Sequence, residues 1–132
     1  MEADSLENVA TPAPVGPYTP AVIADGNRSI AFLSGQLPLD AAGEINPSDV
    51  GGQTRVALTN ALQLAKLQGA SPNDVLKIVV YTTQLHMVDE INHNYIDVLD
   101  GARPARTMVE VSKLPRNALV EIDLIASVPS GT

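Results

Sequence analysis

Cysteine and tryptophan are absent from this chain of 132 residues, and only one phenylalanine and three tyrosines are present. Without thiols there is no disulfide, no thiolate nucleophile and no thiolate metal site, a composition that suits a reducing compartment. With aromatics at 3%, packing has to come from Val, Ile, Leu and Ala. Positive charge is also short: 8 Lys and Arg stand against 15 Asp and Glu, a net charge of −7. That balance opposes general attraction to phosphate backbones, and no stripe of basic residues interleaved with aromatics offers a track for single-stranded nucleic acid. No apolar run approaches the roughly 20 residues of a membrane span. Met1-Glu2-Ala3-Asp4-Ser5-Leu6-Glu7 has neither the basic nor the apolar region of a signal peptide, so a cytoplasmic protein without membrane contact is expected. The two histidines, His86 and His93, stand seven apart without supporting ligands, so no metal site is expected. Gly51-Gly52 is not a phosphate loop and no Ser/His/Asp context is recognisable. Nothing calls for a cofactor.

What is present fits one compact α+β domain, since 45% hydrophobic and 17% charged residues exclude a disordered chain. Residues 1–12 read as a flexible acidic tail, 13–128 as the domain and 129–132 as a frayed end. Pro12, Pro14, Pro17 and Pro20 force an extended lead-in, where Gly16 can take an unusual backbone conformation, toward a strand over 21–24. Asp25-Gly26-Asn27 then reads as a hairpin turn, with 29–34 returning. Ser48 or Asp49 can cap a helix running to about Gln68, with Leu58, Ala61, Leu62 and Ala65 as its buried stripe and Gly69 as its stop. Val75 to Thr83 is short, apolar and β-branched, as expected of a strand covered on both faces. A second helix from about Met87 to Asp100 places Val88, Ile91, Tyr95 and Val98 on one side and begins with Asp89 and Glu90, which favour its positive end. The predicted order is ββαβαββ, with two helices on one face of a sheet. The other face needs cover, which a second subunit would supply.

The segment with most to say about function is Arg103-Pro104-Ala105-Arg106-Thr107-Met108-Val109-Glu110-Val111, followed after a Leu-Pro-Arg-Asn turn by Val120-Glu121-Ile122-Asp123-Leu124-Ile125. Read as two strands of a hairpin, it sets a guanidinium, a ready fork for a carboxylate, and a carboxylate, whose pKa burial could raise, among residues that want to be buried. Arg106, Met108 and Glu110 alternate with apolar neighbours, as do Glu121 and Asp123, so the two polar sets are expected to share a face. A hairpin centred near Pro115 and Arg116 puts Arg106 opposite about Ile125, with Glu121 on the order of 13 Å further along. A ligand, a water or another subunit would have to connect them. As plain chemistry, such an Arg and Glu more often form a structural ion pair or point at solvent.

The spelling of this segment resembles the signature of the reactive-intermediate deaminase (Rid, or YjgF) family, P-A-R-[ST]-x-V-E-V-x-x-L-P-[KR] followed by V-E-I-[DE]-x-I-A. Ala13-Pro14-Val15-Gly16-Pro17-Tyr18, Leu33-Ser34-Gly35-Gln36-Leu37-Pro38 and Ile91-Asn92-His93-Asn94-Tyr95 are further landmarks in the family's order. The resemblance runs from about Ala13 to Ala126. It implies a chorismate-mutase-like fold, a homotrimer with ligand clefts between subunits, and hydrolytic deamination of enamine/imine intermediates such as 2-aminoacrylate and 2-aminocrotonate to 2-oxo acids and ammonia, with no cofactor. In that family an arginine matching Arg106 grips the substrate carboxylate and a glutamate matching Glu121 positions the water. Tyr18, Ser34, Gly35 and Asn92 match residues lining the cleft, and the backbone carbonyl at the position of Met108, often a cysteine in relatives, binds water. Read alone, Tyr18 is equally an anchor for the proline-rich lead-in, Asn92 a solvated helix residue and Ser34-Gly35 a strand-ending turn. His86 stands where relatives commonly cap the second helix with Asp or Asn. Two other classes of function stay open beside imine hydrolysis: an endoribonuclease, against which the negative charge weighs, and a non-catalytic oxo-acid binder or chaperone-like protein.

Overall fold

The structure, a computed structural model, describes residues 12–131, so the expected acidic tail lies almost wholly outside the described residues. Strand β1 spans Arg28–Gln36, helix α1 Val50–Leu67, β2 Val75–Thr82, helix α2 Val88–Leu99, β3 Ala105–Glu110 and β4 Val120–Pro129. They form one four-stranded mixed sheet in the order β1-β4-β2-β3, with β2 and β3 parallel and β4 antiparallel to both β1 and β2.

The helices end where their chemistry says they should. Asp49 caps α1 by accepting from the Gly52 N–H at 2.9 Å, and Gly69 just beyond its end has φ +99°, a conformation that costs other residues dearly. α2 stops at Asp100, itself left-handed. His86 sits in a 3-10 turn over Leu85–Met87, and α2 begins without a side-chain cap. The stripe of α1 (Ala57, Leu58, Ala61, Ala65) and that of α2 (Ile91, Tyr95, Leu99) close over Val75, Ile78 and Val80 of β2 and Val120, Ile122, Leu124 and Ala126 of β4. Both helices therefore cover a single face, as expected of an α+β fold.

Three sequence expectations change. Residues 21–24 are extended but exposed and join no strand, so the order among the described residues is βαβαββ; the turn at Gly26-Asn27 survives, with Asn27 at φ 64°. β4 carries on to Pro129, the register partner of Arg28, one residue beyond the expected boundary. Most consequentially, β3 and β4 are not a hairpin: β2 lies between them. The expectation failed because β3 follows α2 as the second strand of a parallel β-α-β unit, which docks it on β2. The chain then crosses back through a 3-10 turn at Pro115–Asn117, where Arg116 and Asn117 both have positive φ.

The uncovered face of the sheet is mixed. Lys77, Val79 and Tyr81 of β2 alternate with the buried Ile78 and Val80, so β2 is apolar toward the helices and only partly so on the other side. Phe32, on that open side, is 77% exposed.

Candidate functional site

Arg106 registers with Ile78, which in turn registers with Leu124. Register partners share a face, so Arg106 points to the helix-covered side, as does Met108, which packs against the core. Glu121 is three residues from Leu124 and therefore points the other way; its register partner is Tyr81. The expectation that Arg106 and Glu121 share a face is thus overturned. Within one chain they are two strand spacings apart, about 10 Å, and about 10 Å along the strands, with the sheet between them. Each anchors its own group of residues.

The first group is built around the guanidinium. β3 is an edge strand, and α2 packs beside it so that Asn92 and Tyr95, one helical turn apart, both reach Arg106. Nη1 donates to Asn92 Oδ1 at 2.6 Å, and the Tyr95 ring centre lies 4.8 Å from Cζ. Tyr18 stands 5.8 Å away on another side. The lead-in is held there by Thr19, whose hydroxyl donates to the Arg103 carbonyl at 2.6 Å and whose N–H donates to the Pro104 carbonyl at 3.3 Å. Gly16 has no positive φ; its role is room. A Cβ there would lie 2.6 Å from Arg106 Nη2.

No carboxylate pairs with Arg106 among the described residues. Burial lowers its pKa from the ordinary range, with the two tyrosines partly opposing this. A desolvated guanidinium without a counter-ion is costly, and an anionic ligand offsets that cost. Tyr95 is fully buried and its hydroxyl has no hydrogen-bond partner among the described residues; burial pushes its pKa up to about 12.

The second group lies on the open face. At Ser34-Gly35 the pairing of β1 with β4 slips between Leu33 and Gln36, so these residues form an irregularity within β1 rather than its ending turn. Gln36 Nε2 donates to the Ser34 carbonyl at 3.2 Å. Glu121 lies against Gly35 so closely that a Cβ there would stand 2.9 Å from the carboxylate carbon. Beside it, the Tyr81 hydroxyl donates to Asp123 Oδ2 at 3.0 Å. That bond, burial and the charges of Asp123 and Glu121 all raise the Tyr81 pKa.

The structure therefore joins Arg106, Asn92 and Tyr18, with Met108 two residues along the same strand face, and separately joins Glu121 with Gly35. Tyr95, Gly16 and the Tyr81–Asp123 pair were not anticipated as site residues. Tyr95 carried a usable signal in its i, i+3 spacing from Asn92; Gly16 and Tyr81 depend on long-range contacts. A concavity of about 700 Å³, lined by Leu62, Lys66, Gly69, Pro72 and Val98 among others, includes none of these residues. No group of three His, Cys, Asp or Glu residues suited to a metal occurs among the described residues, and no helix there is long and apolar enough to cross a membrane.

Two helices on one face of a four-stranded mixed sheet define the class of fold, and the relatives agree. Residues 8–128 match the family described as Endoribonuclease L-PSP, and the chain belongs to this family, which includes the Rid (YjgF) proteins. A RutC family protein of Pyrococcus horikoshii is 40% identical over 87% of this chain and 90% of its own length. The 2-iminobutanoate/2-iminopropanoate deaminase of Bos taurus is 34% identical over 92% of this chain and 87% of its own. Among solved structures, Escherichia coli TdcF with bound serine superposes with a TM-score of 0.70 at 35% identity, covering 88% of this chain and 91% of that one.

Proposed function

We propose that the protein hydrolyses small 2-imino acids, formed from enamines such as 2-aminoacrylate and 2-aminocrotonate, to 2-oxo acids and ammonia. The observation that carries this reading is Arg106: half-buried, fixed by Asn92, flanked by two aromatic rings and without a carboxylate partner among the described residues. Such a fork suits a planar carboxylate. The naming of relatives as imine deaminases supports the same chemistry.

In the reaction, Arg106 fixes the substrate carboxylate next to the imine carbon. Glu121 accepts a proton from water as its oxygen attacks that carbon and passes it to the nitrogen, giving a carbinolamine; the carbinolamine hydroxyl then gives up its proton, which Glu121 also relays to the nitrogen as the C–N bond breaks, so that the 2-oxo acid and ammonia leave. The imine is already electrophilic, so modest catalysis suffices. Because Arg106 and Glu121 of one chain face opposite ways, the Arg106 group of one copy meets the Glu121 and Gly35 group of another. A contact between two different surfaces repeats from copy to copy and is satisfied throughout only in a closed ring. The homotrimer expected from the sequence is such a ring.

The test is ammonia release from freshly generated 2-aminocrotonate, with sedimentation to establish assembly. Arg106→Lys is expected to weaken 2-oxobutanoate binding and turnover by at least about tenfold, since a point charge does not replace a fork. Glu121→Gln is expected to lose turnover and keep product binding. Cleavage of defined RNA without ammonia release would assign the chain to the other activity; oxo-acid binding with neither would make it a binder.

A further inference from the structure

We infer that Tyr95 is a positioning residue for carboxylate recognition: its ring is the fixed floor that sets the plane of the Arg106 fork. This rests on the reading of Arg106 as the carboxylate grip. An arginine side chain has many rotamers to lose, and among the described residues the Arg106 side chain has one hydrogen bond, to Asn92, to restrain it. That bond fixes one nitrogen and leaves the guanidinium able to turn about it. The face of the guanidinium has to be set by something else.

Two rings are near, and they differ in rigidity. Tyr18, at 5.8 Å, belongs to the lead-in, whose residues 12–15 are exposed. Tyr95, at 4.8 Å, is fully buried in α2 among Ile91, Leu99 and the sheet. A cation over an aromatic face is attracted to it, and the gain is larger where water is excluded. Asn92 and Tyr95 stand on one helix at i, i+3, so a single rigid element supplies both the acceptor for Nη1 and the surface beneath Cζ. Together they define a plane, which a hydrogen bond alone does not.

The Tyr95 hydroxyl adds nothing to this hold. It has no hydrogen-bond partner among the described residues, and burying an unsatisfied hydroxyl is unfavourable. The ring rather than the oxygen is therefore the working part, and phenylalanine should do its job.

The experiment compares Tyr95→Phe and Tyr95→Leu with the native chain in two measurements. Calorimetry with 2-oxobutanoate is expected to give Tyr95→Phe a Kd within about twofold of native and Tyr95→Leu a Kd raised about fivefold to tenfold, matching about 1–1.4 kcal/mol. NMR of the Arg106 Nε–H group is expected to show a ring-shifted, slowly exchanging signal in the native chain and Tyr95→Phe, and an averaged one in Tyr95→Leu. If Tyr95→Leu fails to fold, a ring-fluorinated phenylalanine inserted at position 95 keeps the shape, weakens the negative ring face, and is expected to raise Kd as leucine would. A native-like Kd for a folded variant lacking an electron-rich ring overturns the inference, as does Tyr95→Phe binding as weakly as Tyr95→Leu. A native chain that binds no 2-oxo acid would overturn the functional reading instead; the NMR signal would then still decide whether Tyr95 holds Arg106.

Discussion

Gly35→Ala is the sharpest probe of Glu121, because it adds one methyl group and alters no charge. Gly35 does not have a positive φ, so alanine fits its backbone. The new Cβ would stand 2.9 Å from the Glu121 carboxylate carbon and 3.2 Å from Cγ. Glu121 Oε2 would be closer still, and ordinary contacts begin at about 3.5 Å, so the carboxylate has to retreat by more than about 1 Å. What yields is the far end of a flexible side chain on the open face, so the core is not strained and the thermal midpoint should move by no more than about 2 °C, the shift of a fraction of a kcal/mol. Misplacing a catalytic group by about 1 Å can cost on the order of a hundredfold in rate. Steady-state ammonia release from 2-aminocrotonate is therefore expected to fall ten- to a hundredfold, while calorimetry with 2-oxobutanoate should change by less than about threefold, since the carboxylate is held by Arg106 and the new methyl meets Glu121. Turnover within twofold of native in a folded Gly35→Ala chain would refute the placement of Glu121 as the group that handles water.

Gly16→Ala should do the converse: its Cβ would stand 2.6 Å from Arg106 Nη2, so 2-oxobutanoate affinity should fall several-fold, measured by calorimetry. At high pH, the folded chain holds the Tyr95 proton to about 12 against an ordinary 10.0, so the unfolded chain releases it first and stability falls as pH rises from about 10 to 12. The loss is on the order of 2–3 kcal/mol, at 1.36 kcal/mol per unit, and urea denaturation at pH 9 and 11.5 should show a smaller loss in Tyr95→Phe. Asp49→Ala removes the acceptor for the Gly52 N–H and should cost about 1 kcal/mol in urea denaturation.

Local rules read the helices well because their signals are local. Asp49 as a cap, Gly69 as a stop, and the spacing of Leu58, Ala61 and Ala65 all act within a few residues. The misreadings lie where partners are distant. Val22 and Ile23 spell a strand, but a strand exists only through a neighbour, and these two stay exposed without one. Alternation fixed which residues of β3 and β4 point together within each strand, yet it says nothing about which strands are adjacent. Inserting β2 between them turned one supposed site into two separate groups of residues. The family's spelling named Arg106 and Glu121 without revealing that they part company across the sheet. Tyr95 was legible as core and not as the floor of a guanidinium, because a tyrosine on an apolar helix face looks the same in either role.

The separation of Arg106 and Glu121 ties chemistry to assembly, and it can be tested without seeing the assembly at all. The open face carries Phe32 at 77%, Ile30 at 41% and Val109 at 39% exposure, an apolar surface that a second copy would cover. If each cleft takes Arg106 from one copy and Glu121 from the next, a chain with Arg106→Lys still offers a native Glu121, and a chain with Glu121→Gln still offers a native Arg106. Each variant alone has no complete cleft. Refolded together in equal amounts, they combine at random, and about a quarter of clefts receive both native residues. Mixed refolding should thus restore about a quarter of native ammonia release, while the same two variants refolded separately and then combined without exchange should restore none. Dilution below the dissociation constant should abolish the restored activity and the native activity alike. Were both residues to act within one chain, mixing would give no more than the sum of the two variants, since every chain would carry one damaged residue.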